Sequence, residues 1–451
     1  MARLTKRPCL SCVALDAAEA GKSDEQEINP LLPGLPDHLA LLCLSLVLPS
    51  LLYSVCRSWR RLIYSPSFPP FLSLYAILSK RNPGLNSSSS DRHDDDDDDP
   101  IGLYCFDPIS SSWSQLPSPP PNPPLHRLLI NHPSFLSRSL PIQSVATGTH
   151  LVLLTGSTVH LSPALPRPLA FHPISRRWIV GPLLCHPRRW CAAGSAAGAV
   201  YIASGVGSSY RPDVARSAER WEPSCCSASS RWESIAPLPD GRFSREAINA
   251  VAAGRKLCMV NVQGRALKEG VVYDIEKDIW EDMPPGMLTG WTGPVAAPPP
   301  ADQGDMYVVD EVSGEVRAYK WEEDRWQVVA EATEARQGAV VAAVGGGRMC
   351  VAVAGGGAVE VVDVARPGKT WSVEVPKGRT VIALHVLPRM KAPIKPFHAL
   401  IIRVLSPAGS DHSPTRSGPL VQFRGGSDGR HLALTRISGK YVGLFAFNAD
   451  D

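Results

Sequence analysis

The feature that most constrains this chain is a recurring pair, an aromatic residue followed seven positions later by tryptophan. Phe106 precedes Trp113, Phe171 precedes Trp178, Tyr273 precedes Trp280 and Tyr319 precedes Trp326. Trp221 precedes Trp232 by eleven, which reads as the same unit with the longer turn EPSCCSASS. Trp371 closes VEVVDVARPGKTW, with Val364 in the aromatic's place. Successive members of the Trp series lie 45 to 65 residues apart. An interval of roughly 40–50 residues is the length of one four-stranded propeller blade. Each unit opens with runs rich in Val, Ala and Gly, such as SVATGTHLVLLTG and GAVVAAVGGGRMCVAVAGGG, which predict two short inner strands joined by a turn. Glycine lets inner strands crowd near a narrow axis. The aromatic strand follows, then a polar turn such as DIEKD, then the strand carrying Trp. Across such a hairpin the two rings come together and pack between blades, each burying about 150–250 Å².

Six units predict an all-β, six-bladed propeller over 101–390. The first aromatic hairpin, 101–116, has no inner strands before it. The last Trp is followed by one more apolar run, TVIALHVLP, at 380–388. That run is expected to join the N-terminal hairpin and shut the ring, removing exposed sheet edges.

Composition bounds the rest. At 451 residues and 48.6 kDa the chain suggests two or three units, and its 44% apolar content supports a large core. A net charge of +3 gives no electrostatic reason to expect nucleic acid or a membrane surface. No stretch reaches the ~20 apolar residues of a bilayer span. Eleven cysteines without a framework predict reduced thiols in the cytosol or nucleus.

Ahead of the propeller, residues 35–63 read LPDHLALLCLSLVLPSLLYSVCRSWRRLI. Asp37 is expected to cap a helix whose apolar face is Leu39, Leu42, Cys43 and Leu46. Pro49 ends it. A second apolar series follows at Leu52, Val55, Cys56, Trp59, Leu62 and Ile63, with Arg57, Arg60 and Arg61 on the other face. So few residues of helix cannot bury all these leucines among themselves. The surplus needs a partner, or a place on the propeller's own surface.

Two resemblances follow. The opening Leu-Pro-Asp, the Leu-rich helix and the ending Val-Cys-Arg-x-Trp-Arg-x-Leu resemble an F-box. The glycine-rich second strand, aromatic and spaced Trp resemble the kelch repeat, with glycines at 345–347 and 355–357, more loosely Gly205 and Gly207, and the turn RWESIAPLPDGR at 231–242. Together they resemble the plant F-box/kelch proteins, substrate receptors of SCF-type ubiquitin ligases. The resemblance implies that the helices dock a Skp-type adaptor of a cullin–RING ligase while the propeller binds a target protein. Leu35, Pro36, Leu39 and Leu42 would supply the first adaptor contact. Val55, Cys56, Trp59 and Leu62 would be shared between adaptor contact and the F-box core.

The organisation expected is therefore a disordered N-terminus (1–30), a small all-α F-box (31–80), an acidic flexible linker with six consecutive aspartates (81–100), a kelch-type propeller (101–390) and a divergent, partly disordered tail (391–451), in which FHALIIRVL could add a strand to the closing blade. The target-binding face would use loops just before inner strands, where Arg188, Arg189, Trp190, Arg242, Phe243, Arg245, Trp291 and Arg336 fall. Arg and aromatic residues are common anchors in such loops. Enzyme motifs are missing: no H-E-x-x-H, G-x-S-x-G or P-loop occurs. Cys9 and Cys12 form a C-x-x-C without a second pair, and His172 and His186 read as loop residues. The expectation is a non-catalytic receptor with no cofactor and no metal. A non-ligase propeller scaffold is the alternative.

Overall fold

A computed structural model describes residues 31–65, 67–80, 101–121, 125, 142–158, 160–223, 231–245, 248–261, 268–299, 304–366, 368–390, 432–437 and 440–446. Helices α1 (Asp37–Ser45), α2 (Pro49–Val55) and α3 (Arg57–Ile63) lead into six four-stranded antiparallel sheets. The chain first lays down β1 (Leu72–Lys80), β2 (Ile101–Asp107) and β3 (Ser112–Gln115). The first complete blade is β4 (Gln143–Ala146), β5 (Leu151–Thr155), β6 (Leu169–His172) and β7 (Arg177–Val180). The second is β8 (Ala192–Ala196), β9 (Ala199–Ala203), β10 (Ala218–Trp221) and β11 (Glu233–Ile235), with α4 (Pro212–Arg216) between its middle strands. The third is β12 (Ile248–Ala253), β13 (Lys256–Asn261), β14 (Gly270–Asp274) and β15 (Ile279–Asp282), followed by α5 (Pro285–Gly290). The fourth is β16 (Val295–Ala296), β17 (Tyr307–Val309), β18 (Val316–Lys320) and β19 (Arg325–Ala330). The fifth is β20 (Ala339–Gly345), β21 (Arg348–Val353), β22 (Ala358–Asp363) and β23 (Thr370–Glu374). β24 (Arg379–Pro388) returns to pair with β1, giving the sixth, closing blade in the order β24-β1-β2-β3. The leading strands β4, β8, β12, β16, β20 and β24 contact one another in a closed ring, so they surround the axis. This is a six-bladed β-propeller.

Closure occurs through the 380–388 run, as the sequence suggested, but with a strand that reading missed. β1 lies inside the 31–80 segment assigned to helices, and the propeller therefore begins at Leu72. LSLYAILSK is buried on both faces, so it lacks polar alternation and carries no aromatic–Trp pair. A short apolar run of this kind cannot be told from a buried helix by period alone. The segment 81–100 is accordingly the connection between two paired strands of the closing blade, Ser79 opposing Ile101, and not a spacer between two domains. In the tail, β25 (Leu432–Ile437) and β26 (Lys440–Ala446) pair antiparallel. FHALIIRVL lies outside the described residues.

The interval of seven has a geometric cause. Phe106 opposes Trp113, Phe171 opposes Trp178, Tyr273 opposes Trp280 and Tyr319 opposes Trp326, directly across the outer hairpin. Ring centroids in these pairs stand 5.1–5.2 Å apart. The turn between holds its residue two before Trp at positive φ: Ser111, Arg176, Asp278 and Asp324. In two of these turns the first residue tightens the bend, Asp107 Oδ1 accepting from the Ile109 and Ser110 amides and Asp274 Oδ1 from those of Glu276 and Lys277. The four indoles then reach sideways. Each Nε1–H donates to a carbonyl on the blade before: Trp113 to Glu374 (2.7 Å), Trp178 to Pro117 (2.8 Å), Trp280 to Ala236 (2.7 Å) and Trp326 to Met287 (3.0 Å). The rings are thus both wedges and staples.

Two seams depart from the pattern. Trp232 is buried beside Trp221 with no partner for its Nε1. Trp371 is 40% exposed, opposes Val361 rather than the expected Val364, and lies under the Arg348 guanidinium. At those same seams a buried arginine joins the entering loop to the blade's third strand. Arg188 pairs with Glu219 and donates to the carbonyls of Ser204 and Ser217. Arg336 pairs with Glu360 at 2.7 Å and donates to the carbonyls of Gly314 and Glu331.

Candidate functional site

The helices form a small cluster around Leu44, Leu52, Leu62, Ile63 and Phe68. Pro36 is the residue before α1, and the Asp37 carboxylate accepts from the Leu31 amide at 3.1 Å instead of capping its own helix. Helix α1 turns Ala40 and Leu44 inward. The apolar face read from the sequence, Leu39, Leu42, Cys43 and Leu46, points outward, since Ala40 and Leu44 already fill the inward side. Pro49 starts α2, where its missing N–H is no loss. The second apolar series is broken into two helices at Cys56, which is extended and whose Sγ accepts from the Trp59 amide.

Of the adaptor residues expected from sequence, Leu35, Pro36, Leu39, Leu42, Val55 and Cys56 are exposed. Trp59 is half-buried, its indole donating to the Leu31 carbonyl at 3.1 Å, and Leu62 is buried in the cluster. Those two therefore serve the core. Sequence reasoning missed four more exposed apolar residues: Val47, Leu48 (65% exposed), Leu51 and, as adaptor contact, Leu46 (89%). Their signal was the excess of leucine over what three short helices can cover.

The other side of the cluster is fastened to the closing blade. The Tyr64 hydroxyl donates to Asp107 Oδ2 at 2.7 Å, and burial together with that bond pushes its pKa up. Arg389, just past β24, donates to the Ile63 carbonyl at 3.1 Å and lies over the rings of Tyr64 and Phe71. Ile109 completes the contact. The expectation of helices packed on the propeller's own surface thus holds for one side only. The exposed leucines have no cover among the described residues.

Register places these anchors at one end of the closing blade, where Leu72 opposes Pro388 and Leu74 opposes Phe106. Strand alternation puts the connections from outermost to innermost strand, and from second to third, at the opposite end. This loop face is where the expected target-binding residues fall, but most of them face inward. Arg188, Phe243, Trp291 and Arg336 are buried. The two arginines hold the blade seams described above, Phe243 packs in the core shared by the second and third blades, and Trp291 in that of the third and fourth. As surface anchors these four are corrected: a large side chain entering a blade is taken up by the seam. Arg242 is exposed and ion-paired with Asp240 and Glu269. Arg189 is buried, with its guanidinium 3.7 Å from the Trp190 ring centroid. Arg245 ends a short 3-10 turn, Arg242–Arg245.

No group of three potential metal ligands occurs among the described residues, and no described helix is long and apolar enough to cross a membrane. His150 and His172 stack with centroids 4.9 Å apart at the helical end. Burial, then the neighbouring imidazole, lowers the His150 pKa to about 4. Two open clefts lie either side of β23, one of about 370 Å³ against β19 in the seam that Trp371 leaves unstapled, and one of about 580 Å³ against Trp113 of the closing blade.

A six-bladed propeller carrying a small helical module, one side fastened and the other an uncovered apolar stripe, has the architecture of the F-box/propeller class. No family model matches the chain. It is 46% identical to the F-box/kelch-repeat protein SKIP25 of Arabidopsis thaliana over 402 residues, 87% of this chain and 98% of that protein. It is also 26% identical over 287 residues to the F-box protein AFR of the same plant (61% and 68% of the two chains), and 24% over 314 residues to F-box/kelch-repeat protein SKIP4 (68% and 76%). The chain belongs to the F-box/kelch-repeat family.

Proposed function

We propose that this protein is the substrate-recognition subunit of an SCF-type cullin–RING ubiquitin ligase, acting in the cytosol or nucleus. Helices α1 and α2 dock a Skp-type adaptor through Leu39, Leu42, Leu46, Leu48, Leu51 and Val55, and the loop face receives a target protein. The subunit makes and breaks no bonds. It raises the effective concentration of target lysines near a ubiquitin-loaded enzyme, to the millimolar range typical of short tethers. Fastening the helices through Tyr64 and Arg389 gives the two surfaces a fixed relation at opposite ends of the closing blade, which suits that task.

The observation that carries this reading is the uncovered leucine stripe beside a fully packed side. Contiguous apolar surface of that kind marks an interaction site. The test is co-purification of the full chain with a Skp-type adaptor, alongside Leu42→Asp combined with Leu46→Asp. The double variant is expected to lose the adaptor while its melting temperature stays within about 2 °C, since exposed positions contribute little to folding. Failure of the unaltered chain to hold the adaptor would leave a propeller scaffold without ligase function.

A further inference from the structure

Among the described residues of the loop face, Arg189 is a buried cation with no counter-charge. Arg189 forms an antiparallel bridge with Val206, which continues the β8–β9 ladder past the sheet, so it sits at the mouth of the axis on that face. It is 8% exposed and rests on Trp190. Its Nε and Nη1 are sealed from solvent and make no hydrogen bond, and Nη2 is not sealed. Other arginines in the loops of the second and third blades are paired: Arg188 with Glu219, Arg211 with Asp213, Arg242 with Asp240 and Glu269. For Arg189, burial lowers the pKa and no carboxylate opposes it.

Its neighbours are in the same condition. The Trp190 indole Nε1 and the Ser204 hydroxyl are also buried without a partner. Both residues have positive φ, 56° and 60°, which non-glycine residues adopt at a cost of about 1–3 kcal/mol. Unpaired buried donors and strained backbone are each costly and cluster where a ligand uses them. A guanidinium and an indole N–H can only donate, and the hydroxyl is free to, so the complement is an anion. Nη1 and Nε are enclosed, so an arriving anion meets the guanidinium through Nη2, a charge-assisted hydrogen bond to one terminal nitrogen, with the rest of the positive charge held close behind it.

We propose that Arg189, seated on Trp190, is the anion-recognition point of the target-binding face, taking a carboxylate or phosphate group from an acidic segment of the target polypeptide. This rests on the reading that the loop face receives targets. Buried and partnered by no carboxylate, the guanidinium contributes to binding what it does not contribute to folding.

The test uses the full chain and an array of 12-residue peptides with random flanks and a central Glu, Gln, phosphoserine or Ser. Glu or phosphoserine peptides are expected to bind at least about tenfold tighter than their Gln or Ser counterparts, which is about 1.4 kcal/mol. Whichever pair shows the larger ratio identifies the carboxylate or the phosphate as the source. Arg189→Met should bring the ratio to about one with a melting temperature equal to or above that of the parent, and Arg189→Lys should keep part of it. A ratio near one in the parent, an unchanged ratio in Arg189→Met, or a several-degree fall in its melting temperature would each overturn the proposal. Tyr210, 45% exposed in the connection between β9 and α4, lies on the same face, and a Tyr210→Ala, Arg242→Ala variant separates the two readings. If it weakens all peptides equally while Arg189→Met leaves the ratio alone, the face receives targets but Arg189 is not its anion-recognition point. If no loop-face variant changes binding, both readings fall.

Discussion

Asp324 is the residue whose removal tests the seam chemistry most directly. It sits at φ 45° in the outer turn of the fourth blade. Its Oδ1 accepts from the Tyr319 hydroxyl at 2.6 Å and the Met287 amide at 2.9 Å, and its Oδ2 from the Gly286 amide at 2.8 Å. One carboxylate therefore holds the start of α5, on the third blade, against an aromatic of the fourth. Burial raises its pKa, but the Tyr319 bond and the two amides outweigh this, and the net shift is downward. Hydrogen bonds to a charged group contribute about 1.5–3 kcal/mol each and are not additive here, since the three share one acceptor. Asp324→Ala also strands the hydroxyl of Tyr319, which is fully buried, and places Ala in a conformation it disfavours by about 1–2 kcal/mol. The expected loss is about 4 kcal/mol. With an unfolding entropy of ~2.1 cal/mol/K per residue, a domain of this size shifts by about 1.5 °C per kcal/mol, so the melting temperature should fall by about 6 °C. Asp324→Asn keeps a good left-handed residue and one acceptor oxygen, and should lose about a third as much. Thermal unfolding followed by circular dichroism reads both. Equal losses in the two variants, or a loss below 1 °C in Asp324→Ala, would refute the view that this carboxylate ties the blades together.

Single Trp→Phe changes at 113, 178, 280 and 326 should each cost about 1 kcal/mol by removing one inter-blade hydrogen bond, whereas Trp371→Phe should be near neutral in chemical denaturation. Arg336→Ala leaves Glu360 without its buried partner and should cost about 3–5 kcal/mol, more than the double change Arg336→Met, Glu360→Leu. His385, on β24, holds Ser144 of the first blade through Nε2 at 2.9 Å, and burial lowers its pKa to about 4. The unfolded imidazole titrates near 6.5, so the unfolded state takes up the proton first. The His385 contribution is therefore present above pH 6.5 and lost as pH falls toward 4, a decline of about 3 kcal/mol that His385→Gln should remove from the stability–pH curve. Trp59→Ala should lower both helical-cluster order and adaptor capture, unlike the exposed leucine changes, because its indole holds Leu31.

Period and spacing alone specified the propeller, its six blades and the closing role of 380–388, because cross-strand partners in a tight hairpin must lie a constant number of residues apart, and Phe106–Trp113 and its three repeats obey that rule. The F-box segment was legible through its resemblance, in the opening Leu-Pro-Asp and the ending Val-Cys-Arg-x-Trp-Arg-x-Leu, and its need for a partner through an excess of leucine over available core. Which residues fill the inner side of the first helix was not legible from spacing. Leu39, Leu42 and Leu46 have the same spacing whether they face a core or a partner, and only the prior occupation of the inner side by Ala40 and Leu44 decides. β1 was hidden because a strand covered on both faces carries no alternation, and its pairing with β2 makes 81–100 the connection between two strands of one blade. Arg188 and Arg336 look in sequence like the exposed Arg242. Whether a loop arginine meets a carboxylate in the seam, meets solvent, or like Arg189 meets neither, depends on residues far along the chain, which only folding brings to it.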